Sequence, residues 1–187
     1  MAKTQQLSKK SLNYKDTLRI ARVHFLYGLA FAASIIVYDA SKLIPPDAVL
    51  SRWKYTVSFL LISTIVWYLA RARKDNASLQ KLLIALLVCT DILFASLLVY
   101  ADRGMASPAL ALYFVPISTV AILLSRSALL ATAALCSIAY AFTTMKYFVD
   151  FFNEGYKVQL YSTIGLYSAM FFVVALLLNA VVHRKTD

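Results

Sequence analysis

An aspartate in the middle of an apolar run constrains this chain more than any other feature. Asp91 lies within residues 82–100, LLIALLVCTDILFASLLVY, where it is the only charged side chain. Nineteen helical residues rise about 28 Å, close to the roughly 30 Å hydrocarbon thickness of a bilayer. An unpaired charge at that depth costs roughly 3 kcal/mol or more. The run therefore predicts a membrane span that contains one polar group of special importance.

Composition supports the same class of protein for the whole chain. Of its 187 residues 61% are hydrophobic, whereas soluble domains contain about 45–50% apolar residues. The apolar runs are continuous, and they do not alternate as the strands of a membrane barrel do. We therefore expect an all-α polytopic membrane protein built as a bundle of transmembrane helices.

Six spans and three regions follow from the order of apolar runs and charged loops. We predict a basic tail at residues 1–22, a transmembrane domain at 23–183 and a short cytoplasmic end at 184–187. The predicted spans are approximately 23–40, 55–70, 82–100, 109–124, 128–148 and 158–182.

The distribution of lysine and arginine predicts the orientation of the bundle. With an even number of spans, both termini lie on one side, and that side holds 13 of the 19 basic residues. Short cytoplasmic loops carry an excess of such residues. Both termini are therefore expected in the cytoplasm, and the net charge of +10 needs no nucleic-acid partner.

Asp91 is the strongest candidate for a functional group. The interpretation from sequence is that no basic residue lies at a similar depth, so that hydroxyl groups would have to be its partners. The candidates are Thr90, Ser96, Ser118, Thr119, Tyr140 and Thr143. Asp91 is then either a proton-sensitive or cation-sensitive group, or a structural acid that holds two helices together by hydrogen bonds.

The remaining candidates are a proline and two polar side chains in spans four and five. Pro116 removes one backbone hydrogen bond and predicts a kink near Leu112, which forms either a hinge or a static bend. Thr119 can satisfy a freed carbonyl group, and Tyr140 can line an interior cleft. Aromatic residues at the predicted ends of the spans equally fit an interfacial belt.

Motifs for catalysis or cofactor binding do not occur. The sequence has no nucleotide-binding loop, no H-E-x-x-H motif and no nucleophile elbow. His24 and His183 are lone histidines predicted at the cytoplasmic ends of two different spans, an arrangement that gives little support to a haem pair. We expect no enzymatic activity, no metal and no cofactor.

Five sequence segments resemble the six-span sensor region of bacterial membrane histidine kinases of the pilus-regulating type. In that family an aspartate in span three precedes a Tyr-Ala-x-x-Gly exit, followed by a proline-containing span four and a tight arginine hairpin. The matching segments are LLVCTDIL at 86–93, LLVYADRG at 97–104, Ser107-Pro108, LYFVPI at 112–117 and LLSRSALL at 123–130. The matching positions are Asp91, Tyr100, Gly104, Pro108, Pro116 and Arg126.

The resemblance implies a sensor module of a two-component system in the bacterial cytoplasmic (inner) membrane. It implies a homodimer that detects a membrane-borne cue, such as a small membrane protein docking on the helices. The phosphoacceptor and ATP-binding motifs of these kinases do not occur in the 187 residues. Kinase activity is therefore not expected of this chain, whether it is a piece of a longer kinase or a stand-alone relative.

Three functions remain open from the sequence. The first is a sensory or regulatory module that relays a signal through span six. The second is a small ion or solute transporter that uses Asp91. The third is an accessory or scaffold subunit of a larger membrane complex. Lipid and another membrane protein are the expected partners in each case, and nucleic acid is not.

Overall fold

The architecture is a bundle of helices. The computed structural model describes residues 14–42, 44–122, 126–151 and 157–184, with side chains as far as residue 181. These ranges contain no strand, which confirms the predicted all-α class. The α-helices are α1 Tyr14–Ala40, α2 Pro46–Ala72, α3 Ala77–Ala101, α4 Phe114–Ala121, α5 Arg126–Phe151 and α6 Lys157–Arg184, and two short 3₁₀ helices, Gly104–Ala106 and Pro108–Tyr113, connect α3 to α4.

The long helices extend beyond the predicted spans. α1 and α2 each contain 27 residues, about 40 Å of helix, so their ends pass the hydrocarbon region. By length and composition, α1, α2, α3, α5 and α6 can each cross a membrane. The last nine residues of the predicted tail already belong to α1. Residues 1–13 of the tail and the end at 185–187 lie outside the described residues.

Span four differs from the single kinked helix that the sequence predicts. The chain runs as a 3₁₀ helix from Pro108 to Tyr113 and becomes α-helical only at Phe114. Pro116 is then the third residue of α4, where its missing N–H leaves no intrahelical bond unmade. Continuing α4 backward would press the proline ring against the carbonyl of Leu112. Pro116 therefore accounts for the change from a 3₁₀ helix to an α-helix at this point.

The fourth apolar helix is also short. Residues 108–121 make up the whole apolar segment, which reaches roughly 24 Å when six of its residues rise by 2.0 Å and eight by 1.5 Å. The predicted hairpin between spans four and five includes residues 123–125, which lie outside the described residues. Arg126 is the first described residue after them and begins α5.

α3 is the central helix of the bundle. It packs against α1, α2, α4, α5 and the 3₁₀ helix before α4. More than half of its most apolar window is buried, whereas α6 buries about a tenth of its own. α6 packs on α4 and α5. α3 thus lies between two groups of helices and packs against both. The first group is α1 and α2, and the second is α4, α5 and α6.

Aromatic side chains fill both halves of the core. On the α1–α2 side, the Phe59 ring packs at 4.7 Å from that of Phe94, and Tyr27 meets Phe59 edge-on at 5.4 Å. On the other side, Tyr113 packs at 5.6 Å from Phe171. These rings fix the spacing of helices that lipid alone would not hold together, because lipid tails are as apolar as the side chains.

Gly28 permits the close approach of α1 to α2. A Cβ atom built on it would lie 2.7 Å from Leu60 Cδ2 and 3.1 Å from Phe59 Cδ1. A small residue at such a crossing lets two helix backbones pack closely. Gly165 on α6, in contrast, has nothing within 4 Å of a built Cβ.

Substituting leucine at these two glycines tests the packing of α1 on α2. Gly28→Leu is expected to lower the unfolding temperature in detergent by about 5 °C, because overpacking a helix contact costs roughly 1–3 kcal/mol. Gly165→Leu is the matched control and should leave that temperature unchanged or raise it, since leucine is the better helix former. Equal effects of the two substitutions would contradict the described crossing.

Candidate functional site

A buried histidine–aspartate pair joins α1 to α3 inside the bundle. His24 Nε2 lies 2.8 Å from Asp91 Oδ2, and the two side chains are 2% and 1% exposed. The second ring nitrogen, Nδ1, lies 2.8 Å from the backbone carbonyl oxygen of Ile20. The imidazole is therefore held at both ends, once by its own helix and once by α3.

The hydrogen bond to Ile20 determines where protons can be in this pair. A carbonyl oxygen only accepts, so Nδ1 must carry a hydrogen and donate it. A single further proton then lies between His24 Nε2 and Asp91 Oδ2. Placed on Oδ2 it gives a neutral acid and a neutral imidazole, and placed on Nε2 it gives a carboxylate and an imidazolium. The pair has zero net charge in both arrangements.

Neutrality explains how an acid can lie in the middle of a membrane helix. A charged side chain at the bilayer centre is expensive, and such groups in structures face the bundle interior and pair with one another. Gain or loss of one proton would leave a net charge in the same low-dielectric space, and loss would leave no proton to bridge His24 Nε2 and Asp91 Oδ2 while Nδ1 donates to Ile20. The geometry of α1 against α3 therefore depends on one proton.

Aromatic rings enclose the pair on one side. The His24 ring stacks at 6.4 Å from Phe59 of α2, which in turn packs on Phe94 of α3. Phe31 of α1 meets Phe94 edge-on at 5.2 Å. These rings shield the hydrogen bond from water. Because they lie on α1, α2 and α3, a change in the protonation of the pair would affect the packing of all three helices.

One oxygen of the site has no partner. Among the described residues no hydrogen-bond donor reaches Asp91 Oδ1, which is buried. Buried polar atoms are nearly always satisfied. The site therefore retains acceptor capacity for a further donor.

The structure corrects the expectation that no basic residue reaches the depth of Asp91. His24 does so, because α1 already includes Tyr14 and His24 lies ten residues further along. It does not lie at the entrance of its span, as the sequence had indicated. The physical reason is that the polar residues before residue 23 continue the helix and do not end it.

The hydroxyl groups expected as partners of Asp91 do not bond to it among the described residues. Thr90 donates to the carbonyl of Leu86, and Ser96 donates to that of Ile92. No hydrogen bond from Ser118, Thr119, Tyr140 or Thr143 to Asp91 occurs among the described residues. The expectation of a hydroxyl-bonded acid is therefore wrong for these side chains.

The other candidates from spans four and five belong to the second half of the core. Pro116 and Thr119 are buried on α4. Tyr140 is buried on α5, where its ring packs against those of Tyr113, Tyr167 and Phe171. Its hydroxyl faces Thr144 of the same helix without a hydrogen bond of normal geometry. The structure therefore separates these three residues from the histidine–aspartate pair.

A hydrogen bond in the interior of the bundle joins α3 to this second half. Ser96 Oγ lies 2.8 Å from the hydroxyl of Tyr113. Because the Ser96 proton is given to the Ile92 carbonyl at 2.7 Å, Tyr113 must be the donor. Ser96 is five residues, about one and a half turns, beyond Asp91 on the same helix.

Two positions that match the family pattern, Tyr100 and Gly104, lie where α3 ends. Tyr100 donates to Asp150 Oδ2 of α5 at 2.6 Å, and Lys146 reaches the same oxygen at 2.9 Å. Gly104 has a φ of 61°, and a built Cβ would lie 2.6 Å from Tyr147 Cδ1, so both its backbone and its space require glycine.

The two remaining family positions begin helices. Pro108 is the first residue of the second 3₁₀ helix. The side chain of Ser107, just before it, accepts a hydrogen bond from the Ala109 N–H. Arg126 begins α5. These positions shape the bundle, and none contacts the His24–Asp91 pair in the described hydrogen bonds.

Sequence reasoning missed His24, although a signal was present. Thr17, Ala21, His24 and Gly28 recur at helical spacing of four, three and four residues, and all are buried. Such a stripe marks one face of a helix that packs inward. Extending the helical period backward from residue 28 into the basic tail would have placed His24 on that face. In the part of the chain that the structure describes, no three His, Cys, Asp or Glu side chains form a group that could hold a metal.

Comparison with known protein families gives a match that covers nearly the whole chain. Residues 2–186 match the family described as the PilS-like transmembrane domain. No curated protein and no solved structure matches the chain. Membrane helices, a six-helix order and this match agree with the resemblance seen in the sequence. The chain therefore belongs to the PilS-like transmembrane domain family, a membrane sensory module of the histidine-kinase type.

Proposed function

We propose that this chain is the input module of a two-component signalling system in the bacterial inner membrane. Its state is set by the proton shared between His24 and Asp91 and is relayed through α6. The observation that carries the proposal is the 2.8 Å bond between His24 Nε2 and Asp91 Oδ2 in a dry interior. A bond that has two neutral proton arrangements can be biased by small movements of α1 against α3.

The path to α6 consists of contacts between neighbouring helices. α3 carries both Asp91 and Ser96, and Ser96 is hydrogen-bonded to Tyr113. The Tyr113 ring packs on Phe171 of α6 at 5.6 Å. A rotation or shift of α3 would thus change the support of α6, whose far end leads towards the cytoplasm in the predicted orientation.

α6 is suited to move because it is held on one side. Phe171 and Ala175 are fully buried against the bundle. Leu166, Val173 and Leu177, on other faces, are between 53% and 60% exposed. We propose that these faces meet lipid, a second copy of the chain or another membrane protein that carries the signal. We assign no catalytic activity or cofactor to the chain itself.

A reporter fusion tests the sensing role of the pair. Residues 1–185 joined in helical register to the linker and kinase of a membrane histidine kinase would report the state of α6. Asp91→Ala and His24→Ala should each change kinase output by about fivefold or more, and the double variant by no more than either, because both remove the same bond. Asp75→Ala is the matched control, since it removes an exposed carboxylate from the connection between α2 and α3, and should leave output unchanged.

Additive effects of the two alanine substitutions, or an effect of Asp75→Ala as large as theirs, would contradict the proposal. Output indifferent to all three variants, together with proton or cation flux into sealed vesicles that Asp91→Asn abolishes, would favour a transporter. Copurification with one partner in a fixed ratio, with output again indifferent, would favour an accessory subunit.

A second substitution tests the path from α3 to α6. Tyr113→Phe removes only the hydroxyl that donates to Ser96 and keeps the ring against Phe171. In the same fusion it should reduce the effect of Asp91→Ala on output by about threefold or more, since one interhelical hydrogen bond is worth roughly 1 kcal/mol. Tyr140→Phe is the control, because that hydroxyl faces its own helix. If both phenylalanine variants behave alike, Tyr113 does not carry the coupling.

A further inference from the structure

A cavity opens where α1 ends and α2 begins, and Phe31, two turns along α1 from His24, is part of its lining. Its volume is about 810 Å³, within the roughly 300–1,000 Å³ range of ligand pockets. Its apolar wall includes Phe31, Ile44 and Leu112 from three different segments. In a bilayer such a space adjoins lipid, so its apolar wall favours an occupant with a hydrocarbon part.

The polar part of the cavity has an excess of positive charge. Arg52, Asp102 and Arg103 are the charged side chains that line it. Arg52 donates to Asp102 Oδ1 and lies over the ring of Tyr38 at 5.5 Å, so Asp102 is neutralised by one arginine. Arg103 is then the surplus cation of the lining.

Backbone conformation places Arg103 at this position. Its φ is 74°, in the left-handed region that a side chain with a Cβ seldom adopts. The next residue, Gly104, continues in the left-handed region and is packed under Tyr147. The tight turn after α3 therefore holds an exposed guanidinium beside the cavity.

We propose that this cavity binds an anionic phospholipid. Its phosphate would contact Arg103, which lines the cavity together with the Arg52–Asp102 pair. An acyl chain would lie against Phe31, Ile44 and Leu112. Charge complementarity distinguishes this occupant from a neutral lipid, and the apolar wall distinguishes it from a free phosphate ion. The site would tie α1, α2 and the exit of α3 together from the lipid side, and it does not depend on the proposed sensing role.

Lipid retention by the full chain tests this assignment. The chain in a neutral detergent would be mixed with phosphatidylglycerol or phosphatidylcholine of identical acyl chains, and bound lipid counted by native mass spectrometry. Phosphatidylglycerol is expected to bind about fivefold more strongly, as one basic residue contributes near a membrane surface. Arg103→Asn should remove most of that preference, since asparagine tolerates the same backbone but carries no charge. Ala101→Phe, at the exposed end of α3, should fill the cavity and reduce binding of both lipids.

The matched control is Lys42→Asn. Lys42 is an exposed cation with a left-handed φ of 52° in the same end of the bundle, but it does not line the cavity. An equal loss of preference in Lys42→Asn and Arg103→Asn would overturn the proposal, because net charge alone would then explain it. Equal binding of the two lipids, displacement of phosphatidylglycerol by millimolar inorganic phosphate, or a copurifying membrane peptide that blocks lipid binding would also overturn it. If Ala101→Phe does not fold, the two asparagine variants decide the question.

Discussion

The hydrogen bond between His24 and Asp91 is the interaction on which the rest of the structure depends. It permits an acid to lie inside a span, because the second nitrogen of the imidazole is committed to the carbonyl of Ile20 and the pair then holds a single mobile proton. The same bond fixes α1 against α3 at a depth where lipid gives helices no hydrophobic reason to associate. Stability and responsiveness thus have one source: the pair is neutral with one shared proton, and a proton added or removed leaves an uncompensated charge in the bundle interior.

α3 gives this local chemistry a consequence for the whole bundle. It forms one wall of the aromatic core that contains Phe59 and Phe94, and one wall of the core that contains Tyr113 and Phe171. A side chain on α1 can therefore influence α6 although the bond itself involves only α1 and α3. The break at Pro116 has a part in this arrangement, because the 3₁₀ turn before it carries the Tyr113 hydroxyl that reaches Ser96. α3 and α6 differ in burial for the same reason. α3 is central and packs against helices on several sides, whereas α6 is peripheral and packs against the bundle on one side.

The sequence allowed the class, the number of helices, their order and the family to be predicted, because continuous apolar runs and the segments around Asp91, Gly104 and Pro116 carry that information locally. Asp91 was also found from sequence, since a charge in an apolar run is conspicuous. Its partner was not, because His24 follows a basic tail whose helical continuation has no apolar signature. The roles of Ser96 and Tyr113 depend on which helix faces meet, and hydropathy does not contain that information. The charged cavity near Arg103 depends on a left-handed turn that only the three-dimensional structure shows.

Nitrogen-15 NMR of the His24 imidazole in lipid bilayers tests the central claim most directly. The chain has two histidines, so comparison with His183→Gln assigns the signals to His24. The account predicts a protonated Nδ1, an Nε2 signal typical of a strong hydrogen bond, and a marked shift of that Nε2 signal in Asp91→Ala while Nδ1 changes little. An imidazole whose two nitrogens exchange as in water, or an Nε2 signal that is the same with and without the Asp91 carboxyl group, would contradict it.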